Sequence, residues 1–225
     1  MTGDQGKYIN LLWHTFLDGD DHSFALIYRQ FAPDLLGYGV RFNIGDDLVE
    51  DALQEVFIDL YLKRNLPGLK IENLKAYLFK ALKNNILKKI VREKKTGNAN
   101  IDGVDECLFE PEYCFQDQLI KMEIDTSVKE KLRKAIINLS SKQKEIIYLR
   151  FEEELEYEDI SSILNISVES ARKQLYRALK NLRGAIGYQI LSSLFIFFKK
   201  NREKLSIFFT KHDHKGNKPV VWISF

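Results

Sequence analysis

Arg172, Lys173, Arg177, Lys180 and Arg183 crowd one short stretch of this chain, and no acid falls between 172 and 183. Cations presented together on one helix are suited to holding phosphates and reaching base edges. The residues around them, Tyr157 to Tyr176, read as two short helices about a turn. Ile160, Leu164, Ile166, Ala171 and Leu175 stand where a helix-turn-helix buries its apolar side chains. Asn165 falls at the turn, where a left-handed backbone is often required and Asn tolerates it. Ser167 is a good N-cap for the second helix. A solvated basic helix in an ordinary bundle is the plainer alternative, but cap, turn and charge together favour DNA binding.

Two further clusters could carry binding chemistry. Asp47, Glu50, Asp51, Gln54, Glu55 and Asp59 crowd the polar side of a second helix expected over about 46–63. Asp51, Glu55 and Asp59 are spaced i, i+4, i+8, and such like-charge pairs cost a helix a few tenths of a kcal/mol each. A basic partner would relieve them; a solvated acidic face is the alternative. A third helix, over about 73–91, is basic: Lys75 to Lys95 holds eight Lys or Arg against Glu93. With Tyr77, Phe79, Asn84 and Asn85 it could track a nucleic-acid backbone beside an unstacked base, although Tyr77 itself reads as core.

Enzyme chemistry finds no support. There is no phosphate-binding glycine loop, nucleophile elbow or credible triad. Cys107 with Cys114, and His212 with His214, lack the four-ligand spacing of a zinc site. No metal and no cofactor is expected, and the chain is not expected to be an enzyme.

These clusters must be positioned by helices. Only 4 of 225 residues are Pro, 45% are hydrophobic, and Lys, Glu, Leu and Ile dominate, which favours an all-α fold. Within 22–95, Phe24, Ile27, Tyr28 and Phe31 suggest a helix ending near Pro33, and Val49, Ala52, Leu53, Val56, Phe57 and Leu60 stripe the second helix. Residues 96–126 lack a stripe and are acidic, eight Asp or Glu against Lys121 from 100 to 125, and read as a flexible linker. A second helical unit starts near Ser127, and Ser140-x-x-Gln143 is a capping box inside it. The expected division is a first domain over 1–95, the linker over 96–126, a second domain over 127–187 and an apolar extension over 188–225. The N-terminal stretch is not a signal peptide, no run reaches the ~18 apolar residues of a membrane span, and two cysteines fit a reducing cytoplasm.

The motifs then resemble a family. Leu139-Ser-Ser-Lys-Gln-Lys-Glu-Ile-Ile-Tyr-Leu-Arg-Phe151, with the helix-turn-helix after it, resembles region 4 of extracytoplasmic-function sigma factors of the sigma-70 family. Val49-Glu-Asp-Ala-Leu-Gln-Glu-Val-Phe-Ile-Asp-Leu-Tyr61 resembles region 2.2, and Leu74-Lys-Ala-Tyr-Leu-Phe-Lys-Ala-Leu-Lys-Asn-Asn-Ile-Leu87 resembles regions 2.3 and 2.4. The resemblance covers about 22–95 and 127–184. It implies two helical domains, region 2 and region 4, that bind core RNA polymerase and direct promoter recognition and melting. Polymerase contacts would be to the clamp of the largest subunit and the flap of the second largest, with Asp47, Glu50, Asp51, Gln54 and Glu55 on the clamp side. The −10 element would meet Lys63, Arg64, Asn65, Lys80, Lys83, Asn84 and Lys88, and the −35 element Ser167, Ser170, Arg172, Lys173, Tyr176, Arg177 and Lys180. An anti-sigma factor is a further implied partner, and the acidic linker would thread the polymerase RNA path. The chain departs from the pattern at Glu156 (Ser or Thr in many relatives), Asn165 (Gly) and Gln174 (Arg).

Two rivals remain open on the sequence. A stand-alone helix-turn-helix regulator would bind its own palindrome as a dimer. The tail carries Tyr188, Phe195, Phe197, Phe198, Phe208, Phe209, Trp222 and Phe225, with Lys199, Lys200, Arg202 and Lys204 among them. That pattern suits a surface docking another protein, ahead of an anionic membrane surface.

Overall fold

The computed structural model describes residues 3–64, 66, 71–96, 109–110 and 126–187. Asn65, both cysteines, His212, His214 and the aromatic tail lie outside them. Every regular element among the described residues is helical, so the all-α expectation holds. The α-helices are α1 (Gly3–Leu17), α2 (Asp21–Gly39), α3 (Asp46–Lys63), α4 (Leu74–Thr96), α5 (Thr126–Ile137), α6 (Ser141–Ile147), α7 (Tyr157–Leu164) and α8 (Val168–Ile186).

Helix α1 was not expected, although its signal is present. Ile9, Leu12, Trp13 and Phe16 follow an i, i+3, i+4, i+7 pattern and are all buried. Phe16 stacks on Phe24 of α2 at 5.2 Å between centroids. Asp20 starts α2 by accepting from the backbone of His22 and Ser23 at 3.2 and 2.9 Å. The Ser23 hydroxyl donates to the same carboxylate at 2.5 Å, and this bond, followed by that from the Ser23 N–H, holds the Asp20 carboxyl below its usual range. The expected stop at Pro33 is corrected: α2 runs through it to Gly39. Pro33 removes one donor, but Leu35 and Tyr38 beyond it are wholly buried, and that packing carries the helix on. Gly39 allows α2 and α3 to approach: a Cβ there would lie 2.4 Å from a Val49 methyl.

The C-terminal unit is built on local signals. Ser140 accepts from Gln143 N–H at 3.3 Å while the Gln143 side chain accepts from Ser140 N–H at 3.1 Å, completing the capping box. A π turn over Tyr148–Glu152 follows α6. Leu132, Ile136, Leu139, Ile146, Leu149, Ile160, Leu164, Leu175 and Leu182 form the interior.

The two units do not stand apart on a bare tether. Their cores join where Tyr38 of the N-terminal unit, itself packed on Phe42 and Phe79, stacks on Tyr148 of the C-terminal one at 5.8 Å between centroids. Phe109, from the acidic segment, is 1% exposed and fills the junction, 5.7 Å from both the Tyr38 and Tyr148 rings and 5.4 Å from that of Phe42. Its backbone N–H donates to Ser141 Oγ at 2.6 Å, Glu110 N–H donates to the Arg41 carbonyl at 2.7 Å, and the Glu110 carboxylate pairs with Lys144 at 2.8 Å. At Phe109 and Glu110 the flexible-linker expectation is therefore corrected: burying one Phe contributes roughly 1.5–3 kcal/mol, enough to anchor the segment there.

Candidate nucleic-acid interface

The helix-turn-helix forms as its residues dictate. Asn165 ends α7 in the left-handed region (φ 51°, ψ 48°). Ser167 caps α8, its hydroxyl accepting from Ser170 N–H at 3.1 Å. Ala171, Leu175, Ala178, Leu182 and Ile186 bury one face of α8. Arg172, Lys173, Tyr176, Arg177, Lys180 and Arg183 are thereby left exposed, while Ser170 is half-buried. Arg172 lies 3.7 Å from Glu158 and 5.1 Å from the Tyr157 ring centre, and Lys173 pairs with Glu169 at 2.6 Å. Exposed pairs of this kind contribute at most about 1 kcal/mol, so phosphates can take over these cations at small cost. Ser167→Ala is expected to lower unfolding free energy by about 1 kcal/mol in urea titration, with Ser167→Asp close to the parent.

The departures from the family pattern have physical outcomes. Glu156 gives α7 no side-chain cap and pairs instead with Arg150 at 2.9 Å. Gln174 turns toward the scaffold, its Oε1 accepting from Gln143 Nε2 at 3.4 Å.

On α3, Asp47, Glu50, Asp51 and Gln54 are exposed. Glu55 pairs with Lys89 at 2.9 Å and Asp59 with Lys63 at 2.5 Å. Two of the three spaced carboxylates are thus answered by basic residues of the chain itself. Ile58 and Leu62, 46% and 70% exposed, extend the same face. They were missed because their apolar type reads as core.

The −10 candidates are divided. Asn84 and Lys88 on α4 are exposed. Lys63 holds Asp59, and that bond raises its pKa. Arg64 ties α3 to the start of α2, donating to Asp21 at 2.8 Å and covering the Tyr61 ring at 4.7 Å. Lys80 donates to Ser162 Oγ at 2.9 Å. Lys83 is buried, its ammonium 3.0 Å from both Glu145 oxygens, and the Tyr38 hydroxyl donates to the same carboxylate at 2.5 Å. The reading of Lys83 as an open DNA contact is therefore corrected for this arrangement. Phe79, wholly buried, is core and offers no base a stacking surface. Burial, reinforced by Glu145, pushes the Tyr38 hydroxyl well above its usual range, and burial beside Glu153 does the same for Tyr148.

Among the described residues no group of three or more His, Cys, Asp and Glu could hold a metal ion, and no helix is long and apolar enough to cross a membrane.

Comparison with known proteins agrees with this geometry. Residues 129–182 match the family model described as "Sigma-70, region 4". The chain is 24% identical over 157 residues to the ECF RNA polymerase sigma factor SigM of Bacillus subtilis, covering 70% of this chain and 91% of that one. It is 24% identical over 176 residues to the RNA polymerase sigma-H factor of Pseudomonas aeruginosa, covering 75% and 88%. A solved structure, the sigma factor RpoE with the anti-sigma factor NepR from Bartonella quintana, aligns with a TM-score of 0.47 at 20% identity, covering 72% and 95%. With the region 4 match falling on the helix-turn-helix and two sigma-factor relatives spanning most of the chain, this protein is similar to extracytoplasmic-function sigma factors of the sigma-70 family.

Proposed function

We propose that the chain binds core RNA polymerase, sets its two helical units on the −10 and −35 promoter elements, and helps to melt the promoter DNA at the −10 element. The exposed cationic face of α8, beyond a correctly formed turn, carries this reading. In it, residues 1–95 act as region 2 and 127–187 as region 4. Asp47, Glu50, Asp51 and Gln54, with Ile58 and Leu62 beside them, face the clamp; Asn84 and Lys88 lead the −10 contacts; Arg172, Lys173, Tyr176, Arg177 and Lys180 make the −35 contacts. The polymerase performs the chemistry and the chain acts with it in the cytoplasm as an initiation factor rather than an enzyme. An anti-sigma partner rests on the family resemblance alone.

Co-purification with core polymerase, followed by run-off transcription, tests the role. A chain that binds a palindrome alone as a dimer, and ignores polymerase, would instead be a stand-alone regulator. Within the holoenzyme, alanine at a base-reading Arg172 or Arg177 is expected to cost about 1–3 kcal/mol and relax preference at one base pair. Lys180→Ala should weaken binding to all sequences and flatten the salt slope by about 1. Anisotropy titrations in which all three variants match the parent would remove α8 as the reader.

A further inference from the structure

The N-terminal half of α4 and the residue before it carry a row of polar contacts to the C-terminal unit. Asn73 Nδ2 donates to Asp159 at 2.7 Å, Lys75 pairs with Glu153 at 2.7 Å, Lys80 donates to Ser162 at 2.9 Å, and Lys83 pairs with Glu145 at 3.0 Å. Lys75, Lys83, Glu145 and Glu153 are each less than a tenth exposed. Buried ion pairs are a weak way to hold two surfaces together, because removing two charges from water offsets most of their attraction. Apolar side chains of similar size would dock two units permanently at least as well. Cations and an amide are, by contrast, what a nucleic-acid backbone requires.

We propose that the C-terminal unit is an internal competitor of DNA for α4, its Glu145, Glu153 and Asp159 carboxylates occupying the places of phosphates on Lys83, Lys75 and Asn73. Phe109 and Glu110 close the edge of this contact, through the aromatic junction and the Lys144 pair. The acidic face of α3 and the cationic face of α8 stay exposed in the docked arrangement. The docked chain can therefore meet polymerase and duplex while the lysines of α4 are withheld from single-stranded DNA. This inference rests on the proposed reading of α4 as a DNA-binding helix.

The test uses the full chain without polymerase. Cys107 and Cys114 are replaced by serine, and dyes are attached through Gln30→Cys on α2 and Asn181→Cys on α8. Two variants open the contact independently: Glu145→Gln with Glu153→Gln, and Phe109→Ala, which leaves every carboxylate in place. Both should lower energy transfer while circular dichroism keeps its helical signal. Both should tighten binding to fluorescent single-stranded DNA of mixed sequence. If the open form is ~10% populated in the parent, apparent affinity rises up to about tenfold, since it scales with the competent fraction. Unchanged transfer in both variants overturns the inference, as does lower transfer with no gain in DNA affinity. The underlying reading of α4 is checked separately, by Asn84→Ala and Lys88→Ala in the holoenzyme. Permanganate footprints unaffected by those changes would sink the −10 assignment, whatever the dyes report.

Discussion

Glu145→Ala should weaken the docked arrangement by about 3–5 kcal/mol, the cost of leaving one partner of a buried ion pair behind. Two groups are orphaned at once, the Lys83 ammonium and the Tyr38 hydroxyl, both buried and both bonded to this carboxylate. Both groups belong to the N-terminal unit and Glu145 to the C-terminal one, so the chain can relieve the penalty by parting at the junction. The loss is therefore capped by the docking free energy. In urea, followed separately by tryptophan fluorescence and by circular dichroism, the two transitions should cease to coincide. Replacing the whole set by apolar side chains of similar size, as Tyr38→Phe, Lys83→Met and Glu145→Leu together, should recover most of the loss. A single variant whose unfolding midpoint matches the parent would mean that the pair is hydrated in solution.

Charge reversal on α3 has the second large effect. Asp51→Lys with Glu55→Lys should weaken core-polymerase binding by about 2–5 kcal/mol, thirtyfold or more in Kd, if these carboxylates are desolvated against basic groups of the clamp. Glu55 is held by Lys89, so part of its charge is already compensated, and Asp51→Lys alone should carry most of the change. Glu72→Lys, on an exposed residue before α4, is the control for altered net charge. Fluorescence titration with core polymerase reads the effect. Equal affinities for parent and double variant would remove α3 from the interface.

What the sequence disclosed depended on how far apart the interacting residues lie along it. The Ser167 cap, the left-handed Asn165 and the Ser140–Gln143 box all act within a few residues, and each formed as read. The stripe of α1 is equally local, but it is a single short one in a stretch where Asp4, Asp18, Asp20 and Asp21 flank the apolar residues. Pro33 misled because local steric preference yielded to burial of the residues that follow it. The junction was illegible for a different reason. Lys75 and Lys83 meet acids 78 and 62 positions away, and nothing in a lysine's type or spacing distinguishes a cation awaiting phosphate from one already answered. Phe109, one of three aromatics in the acidic stretch with Tyr113 and Phe115, gave no periodic signal at all.

Its anchoring has a mechanical consequence. Twenty-nine residues separate Thr96 from Thr126, and fully extended they could span about 100 Å at ~3.3–3.6 Å per residue. With Phe109 fixed to either unit, only the residues between it and Thr96 or between it and Thr126 can add reach, at most roughly 40–60 Å by the same measure. The centres of two elements about 25 base pairs apart lie some 85 Å from one another along a duplex, at 3.4 Å per step. Releasing one aromatic side chain therefore lengthens the leash, lowers the effective concentration of each unit at the other, and sets how far apart the two can be planted.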